Sequence, residues 1–345
     1  MRFNENPGYP YSVLVKLFDV SQHVEGDKDA VEITRLVHEV VSHCCMAQTY
    51  LRGETATSSE QDMIQKQVMK FVQVKDKYTA LGSTLLKSQA FHLVYDSKNT
   101  SFLPLPVVAL PRTEYKKPYI PAKIRDLTLK DVKEENIYPM SISHQLPFVG
   151  SARLAIQEIN HALRPVVGLD IVCFDDYNRR LYSNLDEFIC VFRSSFTKWE
   201  WDRIHVPKAS KLHELYIRWS MKEAYTKALG VGMGVSFESF SIRLHEVDDI
   251  ADQGGVWSTL SVNSRGMYLS GSVIHQKDNK NAEYWDFFFL PLYKYELDGC
   301  SSNARGCACV CAGPFSEYGD DGCTRFRVEV EWTNLSSLID WHQAT

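Results

Sequence analysis

Hydrophobic and polar positions alternate through YSVLVKLF at residues 11 to 18, the period of a half-buried strand. Helical spacing follows from Val31 to Leu51, then a polar break at GETATSSEQD, then a second helical stretch from Met63 to Leu86. AFHLVY at 90 to 95 reads as a strand. Residues 99 to 140 are rich in proline, lysine and tyrosine, and their X-Pro steps favour extended or turning backbone. PMSISHQLPFVGSARLAI, 139 to 156, alternates like strands, and RPVVGLDIVCF, 164 to 174, is a short apolar run suited to a buried strand. Helical spacing returns at 184 to 204 and 211 to 230. Strand patterns then dominate in FESFSIRLHEV, VWSTLSV, MYLSGSVI, YWDFFFLPLY and ACVCAG. The order strand, helices, strands thus occurs twice, which predicts an α+β protein of two halves joined near 155 to 165. The divisions are 1–160, 161–312 and an extension, 313–345, whose RFRVEVEW alternates like a strand packing onto the second half.

Composition narrows the function classes. With 345 residues, 44% of them hydrophobic, the chain can bury a sizeable core. A net charge of -5 excludes a strongly basic body for coating nucleic acid but allows a local cationic pocket. The longest apolar stretches, such as FFFLPLY, fall far short of the roughly 20 residues that span a bilayer, and the N-terminus lacks secretory-signal character. The expectation is a cytoplasmic protein without nucleic-acid or membrane partners. Nine cysteines, an odd count, point to reduced thiols. Cys307, Cys309 and Cys311 alternate, which suits small hydrophobes on one face of a strand better than a metal site, since there is no CxxC and no histidine nearby.

The chemistry gathers in RWSMKEAYTKALGVG, 218 to 232. At about 100° per residue, Trp219, Lys222, Glu223, Thr226 and Lys227 share one side of a helix, and Ile217, Met221, Ala224 and Ala228 another. The plain reading is a surface Glu223–Lys227 pair worth about 0.2–0.5 kcal/mol. GVGMGV then reads as a helix cap, in the wrong order for a phosphate loop. Asp170 points elsewhere: a carboxylate inside an apolar strand needs a cation or strong hydrogen bonds. A strand aspartate and a helix glutamate could hold Mg²⁺, which accepts one or two protein carboxylates and completes its shell with water and phosphate. Ser143 and His144 in SISHQ are candidate phosphate ligands. Arg112, Lys116 and Lys117 in PRTEYKKPYIP are either a solvated turn or a cationic edge for a phosphate-rich ligand.

Together, VGLD at 167 to 170, FTKWEW at 196 to 201, WSMKEAYTKALGVG at 219 to 232, RTEYKKP at 112 to 118 and SISHQ at 141 to 145 resemble the 4'-phosphopantetheinyl transferases of the large monomeric type, which includes the aminoadipate-semialdehyde-dehydrogenase phosphopantetheinyl transferases. The resemblance implies two similar α/β halves related by a pseudo-twofold, with coenzyme A in the cleft between them. It implies transfer of the 4'-phosphopantetheine arm to a serine of an acyl, peptidyl or aminoadipate-reductase carrier protein, with release of adenosine 3',5'-bisphosphate. By the same resemblance Asp170 and Glu223 hold Mg²⁺, Glu223 also helps deprotonate the incoming serine, Lys227 neutralises phosphate charge and Lys222 assists. Ser143 and His144 lie near the coenzyme A 3'-phosphate, Lys117 and Pro118 near the adenine, and Arg112 toward coenzyme A. Gln67 stands where an arginine is common, with Lys66, Lys70 or Lys75 as replacements. Val172 stands where many members carry a third acidic ligand, leaving water, Asp175 or Asp176 to complete the shell. The competing class is a coenzyme A or carrier-binding module of the same fold without catalysis; a third is a metal-dependent phosphohydrolase.

Overall fold

A computed structural model of the chain describes residues 11–23, 28–42, 44–54, 57–95, 106–121, 137–155, 165–176, 182–206, 210–248, 255–261, 263–276, 282–293, 304–315 and 326–343. In chain order the elements are β1 (Tyr11–Asp19), α1 (Lys28–Val41), β2 (Cys44–Met46), α2 (Ala47–Arg52), α3 (Ser58–Met69), α4 (Val74–Tyr95), β3 (Val107–Ala109), β4 (Ile120–Pro121), β5 (Ile137–Tyr138), β6 (Met140–Gln145) and β7 (Phe148–Leu154). There follow β8 (Val166–Cys173), α5 (Leu185–Val191), α6 (Lys198–His205), α7 (Lys211–Leu229), β9 (Phe240–Leu244), α8 (His245–Asp248), α9 (Gly255–Leu260), β10 (Met267–His275), β11 (Glu283–Leu292), β12 (Gly306–Phe315), β13 (Phe326–Thr333) and α10 (Leu335–Gln343).

The chain divides into two compact units. The first comprises Leu14–Ile156 and Val330–Thr345, the second Met1–Val13 and Gln157–Glu329. The first unit therefore gathers residues from both ends of the sequence. Its four-stranded sheet runs β13-β1-β7-β6; β13 is divided, with Phe326–Glu329 in the second unit, where the Val328 amide donates to the Tyr268 hydroxyl at 2.7 Å as packing on the second half requires, and Val330–Thr333 with α10 in the first.

Within the first unit α4 is the central helix. Leu81 and Leu85 pack with Phe18, Val149, Ile33, Val68 and Leu338. The segment AFHLVY, expected as a strand, is the last part of this 22-residue helix. No glycine or proline separates it from the leucines before it, so the helix continues. The polar break at 53–62 also resolves differently: Thr57 caps α3 through Glu60, whose side chain returns to the Thr57 backbone in a capping box.

In the second unit α7 lies on an antiparallel five-stranded sheet of order β8-β12-β11-β10-β9. Cys307, Cys309 and Cys311 are fully buried in its core, with burial pushing the Cys307 and Cys309 thiols upward. All seven cysteines among the described residues are free thiols. VWSTLSV, expected as a strand, contains the short helix α9 instead, its Trp257 ring stacked on His213 at 4.5 Å. None of the described helices is long and apolar enough to cross a membrane.

Candidate active site

The site begins with a glycine. Gly168 is the point on β8 where α7 comes closest: a Cβ built there would lie 1.8 Å from the Ala224 carbonyl oxygen and 2.7 Å from the Ala228 nitrogen. Only hydrogen at this position lets the helix backbone seat on the strand. Alanines at 224 and 228 complete the close approach, both buried. Asp170 is two residues along and so faces the same way. The residues on α7 next to the contact, Glu223 and Lys227, are carried to it. The spacing of GxD and KExxxK is thus set by a packing contact before any chemistry is considered.

Asp170 is 6% exposed. The Lys227 ammonium donates to its Oδ1 at 2.5 Å, a charge-assisted bond that answers the cost of placing a carboxylate in an apolar strand. Glu223 is half-buried, and burial, then the nearby Asp170 charge, raise its carboxyl above the usual range, with Lys227 opposing. The plain reading of Glu223 and Lys227 as an exposed surface pair therefore does not hold. Both belong to a cluster of two carboxylates and one ammonium. Convergent carboxylate oxygens are the donor set that a hard divalent cation such as Mg²⁺ takes, and their mutual repulsion is what such a cation would relieve.

Among the described residues no third carboxylate completes the set. Val172 is buried in the core, and Asp175 is paired with Arg305 at 2.6 Å. The side chain of Asp176 lies outside the described residues. Among the described residues no group of three or more histidine, cysteine, aspartate or glutamate side chains could hold a metal. Water and substrate oxygens are left to fill any shell begun by Asp170 and Glu223.

Lys222, expected to assist beside Glu223, is placed elsewhere. It is fully buried, pairs with Glu200 at 2.9 Å and donates to the Phe237 and Phe240 carbonyls at 2.6 Å each. Burial lowers its pKa, with Glu200 opposing. Glu200 is also the capping-box residue of α6 and accepts from the Ile242 backbone. Nearby, Arg218 binds Glu214 at 2.8 Å and Asp248 at 2.6 Å, both nearly inaccessible to solvent. This buried ionic seam ties α7 to α6, β9 and α8. Sequence reasoning missed it, although Glu214 and Arg218 show the i,i+4 spacing of a helical pair. The two faces of α7 thus divide the labour: Lys222 and Arg218 fix the helix, and Glu223 and Lys227 face the site. Gly230, with φ 77°, caps the helix as its pattern predicts.

The remaining expected residues belong to the first unit. Arg112 and Pro118 form a β-bridge closing a tight hairpin, with Lys116 at its turn at φ 65°. Arg112 is exposed, and Lys117 and Pro118 are partly buried. Ser143 and His144 are neighbours on β6, opposite Gly150 and Val149. Ser143 is buried and His144 exposed, as adjacent strand positions facing opposite sides require. Lys66 and Lys70 line a broad hollow of about 760 Å³ on the outer side of α3, with Gln67 between them.

Residues 166–255, which contain the strand–helix contact, match the family model described as the 4'-phosphopantetheinyl transferase superfamily. A phosphopantetheinyl transferase of Thraustochytrium sp. is 37% identical over 91 residues, 25% of this chain and 31% of that protein. The L-aminoadipate-semialdehyde dehydrogenase-phosphopantetheinyl transferases of Mus musculus and Rattus norvegicus are each 29% identical over 188 residues, 53% of this chain and 52% of theirs. The chain spans about half, or less, of the length of the relatives it matches.

Proposed function

Taking residues 166–255 as a 4'-phosphopantetheinyl transferase superfamily domain, we propose that the chain moves the 4'-phosphopantetheine group of coenzyme A onto a serine of an apo-carrier protein and releases adenosine 3',5'-bisphosphate. The observation that carries this reading is the cluster of Asp170, Lys227 and Glu223 gathered at the Gly168 contact. In the step itself, the serine oxygen bonds to the phosphorus that carries the pantetheine arm. The bond from that phosphorus to the bridging oxygen breaks, and the electron pair leaves with the bisphosphate. The serine proton passes to Glu223, directly or through one water. A cation held by the same carboxylate would favour its ionised form and weaken it as an acceptor, which favours the route through one water.

Asp170 and Glu223 would hold a divalent ion such as Mg²⁺, which supplies Lewis-acid stabilisation of the charge that grows on the pyrophosphate. Lys227 supplies positive charge at the same place and keeps Asp170 fixed in direction. The resemblance assigns coenzyme A recognition to Arg112, Lys117, Pro118, Ser143 and His144, and we keep that assignment. For carriers, the names of the mouse and rat relatives favour the aminoadipate-reductase type first. The test incubates the full chain with labelled coenzyme A, Mg²⁺ and apo-carriers of the acyl, peptidyl and aminoadipate-reductase types, then weighs each carrier. One added phosphopantetheine on at least one of them supports the proposal. Tight coenzyme A binding with unmodified carriers throughout would replace it with the binding-module reading.

A further inference from the structure

A tryptophan of the second unit is ringed by arginines that the transfer chemistry does not use. The guanidinium carbons of Arg243 on β9, Arg203 on α6 and Arg218 on α7 lie 4.9, 5.5 and 5.7 Å from the centre of the Trp199 ring. An indole face attracts cations, and a guanidinium laid on it keeps its N–H edge free to bond elsewhere. The three arginines use that edge differently. Arg218 is buried and committed to Glu214 and Asp248. Arg203 is partly exposed and donates to the Asp248 backbone carbonyl at 2.5 Å. Arg243 is exposed, and among the described residues its guanidinium has no hydrogen-bond or ion-pair partner. Three positive charges thus face two buried carboxylates, and the unanswered one stands at the surface, steadied by the ring.

Charge and geometry limit what it meets. Tryptophan and arginine are enriched among the residues that carry most of the energy in protein interfaces, and a side chain already held in place loses little freedom when a partner arrives. The chain's net charge of -5 gives no general attraction for acids, so an acidic partner is drawn to this spot and turned away around it. Exposed acids also stand close by in the sequence, Asp202 beside Arg203 and Glu246 three residues after Arg243. They would repel a continuous polyanion such as a nucleic acid, and they leave room for one or two carboxylates of a polypeptide. Arg218 precedes Glu223 by five residues, about 140° around α7 at about 100° per residue. The patch and the cluster at Gly168 therefore lie on different flanks of the helix, and a segment bound at Trp199 is not the one that presents the serine.

Resting on the transfer reading above, we propose that Trp199, Arg203 and Arg243 form a docking site for an acidic segment of the acceptor polypeptide, outside the carrier domain whose serine is modified. The site raises the local concentration of that domain and takes no part in the chemical step.

The experiment measures kcat and KM for the full-length acceptor that the natural protein modifies, and for its isolated carrier domain, at low and at physiological ionic strength, with the natural protein, Arg243→Glu, Arg243→Lys and Arg265→Glu. Loss of a charged hydrogen bond predicts that Arg243→Glu raises KM for the full-length acceptor about ten- to a hundredfold, most at low ionic strength. Its kcat, its KM for coenzyme A and its KM for the isolated domain stay unchanged. Arg243→Lys, which keeps the charge, recovers most of the loss. Arg265→Glu makes the same charge change at an exposed turn of the same unit and leaves every KM where it was. Should Arg243→Glu fail to fold, Arg243→Gln is read in the same way. An unchanged KM in that variant, an equal rise with the isolated domain, or an equal rise in Arg265→Glu overturns the docking site alone, since acceptors are still modified. A natural protein that modifies no acceptor overturns the transfer reading and the docking site with it.

Discussion

Gly168→Ala separates packing from chemistry. The glycine is not at a positive φ, so alanine there costs no backbone strain, and on backbone entropy alone the substitution would stabilise by about 0.4–1 kcal/mol. The structure predicts the opposite sign. The new Cβ would meet the Ala224 carbonyl oxygen at 1.8 Å, whereas ordinary contact begins near 3.4 Å, so α7 must retreat by about 1.6 Å or the strand must bend. The obstacle is helix backbone and cannot swing aside like a side chain. Overpacking of this kind costs about 1–3 kcal/mol, and more where nothing yields. Ala224 sits next to Glu223 and three residues before Lys227, so the displacement reaches the site directly. A misplacement of about 1 Å costs on the order of a hundredfold in rate. The assay is carrier modification per folded molecule, with the folded fraction taken from urea unfolding of the same sample. A variant with unchanged midpoint and turnover within twofold of the natural protein would refute the idea that this glycine sets the site geometry.

Glu223→Gln should cut turnover by about 10²–10⁴ if the carboxylate takes the serine proton. The same change removes a charge that the fold disfavours. At pH 7 its thermal midpoint should therefore equal or exceed that of the natural protein, and the difference should vanish as pH falls below the ordinary carboxylate range. Lys222→Met should behave in the reverse way, losing about 3–5 kcal/mol of stability because Glu200 is left buried without its partner, while turnover per folded molecule persists; a large rate loss at full stability would return Lys222 to the chemistry. His342, on α10, faces Leu338 and Ser88, and burial, reinforced by His92, brings its pKa down to about 4. A native pKa below the unfolded one makes stability fall as pH drops from about 6.5 to about 4, by at most about 3 kcal/mol; denaturant midpoints across that window should show the slope, and His342→Gln should flatten it.

How much of this was readable from the letters depended on where the constraint lay. VGLD and WSMKEAYTKALG could be paired because a glycine, an intrastrand aspartate and a helical KExxxK each carry a local signature. Lys222 misled because charge in a sequence suggests solvent, whereas α7 is enclosed on most of its circumference; its partner Glu200 is remote in sequence, and no local rule joins them. AFHLVY and VWSTLSV are short apolar runs, and periodicity does not tell a strand from a helix at that length. The alternation in RFRVEVEW identified a strand but not its neighbours, because pairing across 300 residues leaves no trace in a single sequence.

That pairing has a consequence for how the polypeptide is made. Because β13 and α10 are translated after the whole 157–315 region, β1 has no neighbour on its outer side, and Ser88 no His342 to meet, until the second unit has already left the ribosome. An early segment waiting for a late one is open to protease and to chaperone in the interval, and a change that hinders residues 326 to 343 would be felt at β1 and α4, remote from it in sequence.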